Sequence, residues 1–175
     1  FRILYEVDVF ESLIWTDRYS AFGDFEIYAP ADVKYLYMFQ KDWYLTNPDS
    51  EHLMIIESRR INSDVENGNK LIITGRSLES ILDRRIIWNQ TILSGNFQNG
   101  IQKLLNENVI NPTDVNRKIP NLIFEVSSDP AITTLTVEAQ FTGDNLYDSI
   151  KKLCESKNIG FKITINAQNK FVFKL

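Results

Sequence analysis

With one histidine and one cysteine in 175 residues, His52 and Cys154, the chain cannot build a disulfide, a Cys/His zinc site or a Ser-His-Asp triad with a base to spare. Acids are plentiful, 23 in all, and two carboxylates at a fixed separation could cleave a sugar polymer, but no spacing singles out a pair. Gly75-Arg76-Ser77, read at a strand-to-helix junction, could hold a small anion through helix-terminal amides and a guanidinium. It lacks a Walker lysine and a glycine-rich fingerprint, so a turn and a cap are the better account of it. Arg59-Arg60 and Arg84-Arg85 could clamp a carboxylate or phosphate, although exposed charge or pairing with neighbouring acids across an interface is the commoner fate. Trp15, Trp43 and Trp88 with Tyr35, Tyr37 and Tyr44 could make a stacking platform for envelope sugar, although strand aromatics more often belong to a core. His52 reads as a partly exposed strand residue and Cys154 as a small buried hydrophobe. No catalytic, cofactor-binding or metal-binding residue is assigned.

The positions of these residues depend on what kind of chain carries them. Hydrophobic residues make up 43% and charged residues 24%, the balance of a folded globular protein. Nineteen Lys and Arg against 23 acids leave a formal charge of −4, which supplies no broad positive field for phosphate and argues against nucleic acid as a ligand. No apolar run approaches the roughly 20 residues that span a bilayer. The sequence opens without an initiator Met and stops within an alternating pattern, so a trimmed domain is expected.

Up to Thr74 the pattern is β-dominated. Alternation predicts a first strand over residues 1–9, a second over 12–19 and a third over 25–29, with Gly23-Asp24 turning between the last two. Asp32 is placed to cap a short helix running to Phe39. Segments 43–46 and 52–61 flank Asn47-Pro48-Asp49-Ser50 and predict a hairpin. Asn67-Gly68 predicts a second hairpin through a type I′ turn between 61–65 and 70–74. From Gly75 the order becomes strand, glycine, cap, helix, strand, with Ser77 as cap, Leu78, Ile81 and Leu82 on one face and 85–88 extended. The same order recurs near the end: strand 135–139, Gly143, Asp144 as cap, a stripe of Leu146, Ile150, Leu153 and Cys154, then strand 161–165. Between them Phe97, Ile101, Leu104 and Leu105 predict a helix closed by Asn111-Pro112, and a strand follows at 122–126. The expected fold class is α+β: two small β-barrel-like lobes with short helices, residues 1–95 and 122–175, bridged by a helix and loop at 96–121.

The blocks Trp15-x-x-Arg18-Tyr19 with Gly23-x-Phe25-Glu26, and Gly75-Arg76-Ser77 with Leu82 and Arg85 behind it, resemble in content and order the tail-tip hub, or baseplate hub-like tail-associated, proteins of siphophages and prophages of Gram-positive bacteria. The resemblance runs from residue 1 to 175. It implies a structural piece of the virion tail that assembles as a homotrimer and joins the distal tail protein to the tip or fibre. It implies no cofactor and no catalytic residue, with any cell-wall hydrolase in a separate downstream module. Trp15, Arg18, Tyr19, Gly23, Phe25, Gly75, Arg76, Ser77, Leu82 and Arg85 are then structural motif residues. A carbohydrate-binding module for the host envelope, or the N-terminal scaffold of a tail-associated hydrolase, are the alternatives.

Overall fold

Residues 3–64 and 68–175 are described in the computed structural model, and β structure begins at Ser12, after the alternating segment that was expected to start it. Residues 1 and 2 of that expected strand lie outside the described residues. Residues 3–10 form no strand: alternation gives a strand only where a neighbouring edge accepts its hydrogen bonds, and among the described residues none pairs with them. The chain packs as two units. Unit 1 is Phe1–Arg18 with Phe22–Leu78, and unit 2 is Tyr19–Ala21 with Glu79–Leu175.

Unit 1 is a five-stranded antiparallel sheet. β1 (Ser12–Thr16) is shorter than the expected 12–19, and β2 (Asp24–Pro30) follows it. Helix α1 (Val33–Met38) is capped as expected, the Asp32 carboxylate accepting from the Lys34 amide. β3 (Tyr44–Thr46), β4 (Leu53–Asp64) and β5 (Gly68–Ser77) complete the order β1-β2-β5-β4-β3. The expected strands 52–61 and 61–65 are thus one strand, and β3 pairs with its first residues. The second hairpin is present, but Gly68 is the first residue of β5, paired with Asp64, and not a turn residue as expected, while Asn67 lies outside the described residues. Phe25, Ile27 and Ala29 of β2 alternate inward beside Leu71 and Ile73 of β5, and Tyr35 and Phe39 close over them with Met54 and Ile56. Burying each large side chain contributes about 1.5–3 kcal/mol.

Gly75 and Ser77 lie inside β5, so neither marks a strand-to-helix junction. The turn behind them, Leu78–Arg84, is a 3-10 helix, and the Ser77 hydroxyl does not cap it but accepts from the Gly23 amide. Residues 85–88 form no strand beyond a single bridge from Ile86 to Asn145.

Unit 2 contains β6 (Thr91–Asn96), α2 (Phe97–Leu105), β7 (Leu122–Phe124), α3 (Pro130–Thr133), β8 (Thr136–Phe141), α4 (Leu146–Ser156), β9 (Lys162–Ile165) and β10 (Phe171–Lys174). β6 pairs with β8, and β10 lies between β9, antiparallel, and β7, parallel. Helix α2 buries Phe97, Ile101, Leu104 and Leu105 and continues as a π turn, Asn106–Ile110, up to Asn111. It closes tightly on β8, where a Cβ on Gly100 would lie 2.9 Å from Val137. Residues 96–121 fall within unit 2. Asn145, not Asp144, caps α4 by accepting from the Asp148 amide, and the Asp144 carboxylate accepts instead from the Thr142 amide. On α4, Leu146, Ile150 and Cys154 are buried and Leu153 is half-buried. The β10 residues Phe171, Val172 and Phe173 are all buried, as in a strand covered on both faces, and Phe173 stacks between Phe124 and Phe161.

Candidate functional site

In unit 1 the two motif blocks meet on neighbouring strands. Register places Trp15 opposite Phe25, Phe25 opposite Gly75 and Asp24 opposite Arg76, so the residues from β1, β2 and β5 form one patch. The Trp15 ring packs at 5.9 Å on Phe25, and its indole N–H donates to Asp17, 3.1 Å away. Gly75 allows the closest approach. A Cβ there would sit 1.9 Å from the Ile55 carbonyl oxygen and 2.7 Å from the Phe25 ring, so only glycine fits.

The register between β4 and β5 slips between Ile56 and Ser58, which makes Glu57 the extra residue of a bulge opposite Gly75. The bulge aims Glu57 at Arg76. The guanidinium Nε and Nη2 each donate to one carboxylate oxygen at 2.8 Å, and its carbon lies 4.7 Å from the centre of the Phe22 ring. Beside it, Gly23 and Ser77 lock the chain twice: the Gly23 amide donates to the Ser77 hydroxyl at 2.7 Å, and the Ser77 amide donates to the Gly23 carbonyl at 2.9 Å. Arg18 closes the β1–β2 connection by donating to the Phe22 carbonyl at 3.1 Å and to Asp24 at 2.8 Å. Gly23 is itself a close-approach position, since a Cβ would lie 2.2 Å from the Thr16 carbonyl oxygen.

The remaining motif residues belong to unit 2. The Tyr19 carbonyl accepts from the Phe161 amide, and a Cβ on Gly160 would lie 2.6 Å from the Tyr19 ring. Leu82 is fully buried. Arg85 donates from Nε to the Arg117 carbonyl, and the Arg85 carbonyl accepts from the Leu146 amide at the start of α4. Glu79, also fully buried, accepts from the Ile163 amide of β9.

This chemistry is that of a frame. Arg76 is spent on an internal carboxylate, and the Gly75-Arg76-Ser77 amides lie within a ladder, so the anion-site alternative finds no helix-terminal amides here. Arg59 donates to the Leu36 and Phe39 carbonyls at the C-terminal end of α1, where a cation is favoured. The aromatic set does not assemble as a platform: Tyr35 is buried, Trp15 and Trp43 pack on the unit 1 core, Tyr37 and Tyr44 are exposed, and Trp88 belongs to unit 2. Burial pushes the Cys154 thiol up to about 12, aided by the adjacent Glu155 charge. Among the described residues no cluster of three or more His, Cys, Asp or Glu side chains is placed to hold a metal ion, and no helix is long and apolar enough to cross a membrane. Glu57 was missed in the sequence. Its signal is the charge that interrupts the buried run Leu53-Met54-Ile55-Ile56 one residue before β4 turns polar and exposed.

The backbone is similar to that of a prophage tail protein, gp18, from Listeria monocytogenes EGD-e, with a TM-score of 0.55 and 12% identity over 89% of this chain and 41% of that one. It is also similar to the E. coli c3393 protein, a component of the type VI secretion system with structural similarity to the T4 bacteriophage tail proteins gp27 and gp5. There the TM-score is 0.55 and the identity 11%, over 98% of this chain and 46% of that one. A tail protein from Neisseria meningitidis MC58 gives 0.52 and 13%, over 92% and 44%. The α+β fold with curled sheets is thus one shared with tail proteins, and the chain spans less than half the length of each of these neighbours. No curated protein matches the sequence. A family profile matches residues 1–175 without a break, and the chain belongs to the Siphovirus ReqiPepy6 Gp37-like protein family.

Proposed function

We propose that this chain is a non-enzymatic structural part of a phage or prophage tail tip, joining the tail tube or distal tail protein to the tip. The observation that carries this reading is a backbone shared over 89–98% of the chain with tail proteins and a tail-like secretion component, in a chain of siphovirus family membership. The motif residues support it from below: Trp15, Arg18, Tyr19, Gly23, Phe25, Gly75, Arg76, Ser77, Leu82 and Arg85 are each engaged in packing or hydrogen bonding within their own unit. In the assembled tail the chain works as a homotrimer between the distal tail protein and the tip or fibre, without a cofactor. Immunogold labelling of purified particles with antibody against the whole chain tests this. Label is expected at the tail end distal to the capsid. Particles without label there, or digestion of peptidoglycan by the purified chain, overturn it.

A further inference from the structure

Two features of unit 1 have no partner among the described residues. Residues 3–10 alternate as a strand, yet among the described residues their backbone makes no hydrogen bond within the chain. Their apolar side chains are left in water, Ile3 at 86% exposure and Leu4, Tyr5, Val9 and Phe10 at 43–55%. The face that does find a place is narrow: Tyr5 stacks on Trp43 and Val7 packs on the core. Glu6 and Asp8 alternate with these residues in the sequence, are both exposed, and form no ion pair among the described residues. The second feature is the edge of β4. β3 covers only Leu53 to Ile55, so residues 58–63 are paired to β5 on one side, and on the other their amides and carbonyls find no backbone partner among the described residues. Their side chains are exposed, including Ile61 at 53%, and Arg60 forms no salt bridge among the described residues.

We propose that residues 3–10 of one copy add as a strand to the free edge of β4, at 58–63, in a second copy of this chain. The inference names a contact for the repeated tail subunit and rests on that reading. Donor and acceptor are of similar length, and they carry opposite unpaired charge. Period-two geometry makes the match specific. With Val7 set opposite Ile61, an acid falls opposite Arg60 in either strand direction: Asp8 if the strands run antiparallel, Glu6 if they run parallel. Val7 and Ile61 then share the face already turned toward the core, and the acids share the outer face with Arg60. Both parts lie on every copy at different places, so the contact is head-to-tail, the kind that closes a ring when the rotation per copy allows.

Sedimentation velocity on the whole chain over rising concentration tests this. Reversible association is expected for the parent chain. Arg60→Glu, and separately Glu6→Arg with Asp8→Arg, should each weaken it by on the order of tenfold or more, because like charges then face each other across the new ladder. The combined variant carrying all three changes should regain it, which also shows that each change left a folded chain. If association persists in Arg60→Glu, or the combined variant fails to regain it, the contact is overturned while the tail role stands on the particle labelling. A parent chain that stays monomeric throughout also overturns the contact, and the labelling result again judges the tail role separately.

Discussion

Glu57 is the extra residue of the β4 bulge, and Arg76 on the neighbouring strand holds its carboxylate with two hydrogen bonds of 2.8 Å. The pair is partly buried, with 23% and 29% of the two side chains exposed, so solvent screens it only in part. Arg76→Lys keeps the charge but loses the paired donors and the guanidinium held over the Phe22 ring. Urea unfolding should show a loss of about 1–2 kcal/mol for this change. A double-mutant cycle with Glu57→Gln should assign most of that loss to the pair, and independent effects of the two substitutions would count against the bulge being pinned this way.

The glycine opposite that bulge gives a sharper test. Gly75→Ala puts a methyl 1.9 Å from a backbone oxygen, and a backbone carbonyl cannot swing aside as a side-chain end can. A loss of about 3 kcal/mol or more is expected, at the upper end of overpacking effects. Gly143→Ala is the control. Its Cβ would meet nothing within 4 Å, and only the positive φ of 77° opposes it. That substitution should cost about 1–2 kcal/mol. Similar losses at the two positions would remove the close-approach explanation for Gly75.

How much of this was legible in the sequence depends on whether a residue's partner is local. Asp32 capping α1, the Asn47-Pro48 hairpin and the helical stripe from Phe97 to Leu105 are decided by neighbours a few positions away, and each lies where the pattern puts it. The segment 3–10 carries a clean strand pattern and is no strand, because a strand needs an edge and alternation does not say whether one is available. Ser77 looked like a cap because a hydroxyl after a glycine often is one. Its partner is the Gly23 amide, which no local spacing reveals. The choice of Asn145 over Asp144 turns on a second bond, from the Asn145 amide group to the Asp83 carbonyl, that only the folded unit supplies. The motif Gly75-Arg76-Ser77 was visible as a unit, but its meaning required Glu57 and Phe22, and neither is near it in the chain.

Cys154 carries the pH dependence. Its thiol is raised from an ordinary value of 9.0 to about 12, first by burial and then by Glu155. A raised folded-state value means that folding favours the neutral thiol, so this contribution is intact below pH 9 and declines as pH rises from 9 toward 12. Thermal melts between pH 8 and 11 should therefore fall more steeply for the parent chain than for Cys154→Ala. In the folded chain at pH 8 the thiol should resist a disulfide reagent until denaturant is added. Rapid labelling without denaturant would contradict its burial.

Ser77 and Ser80 are three residues apart and both fully buried, yet opposite outcomes are expected on replacing them with alanine. The Ser77 hydroxyl accepts the Gly23 amide at 2.7 Å, and removing it strands a buried N–H. That should cost about 1–3 kcal/mol. The Ser80 hydroxyl has no hydrogen-bond partner among the described residues, so its burial already carries the desolvation penalty. Ser80→Ala removes that penalty along with the oxygen and should leave stability unchanged or raise it by up to about 1 kcal/mol. Matched urea titrations of the two variants decide the matter. A substantial loss in Ser80→Ala would mean that its hydroxyl is held by a partner after all, and a neutral Ser77→Ala would remove the lock that joins β5 to the β1–β2 connection.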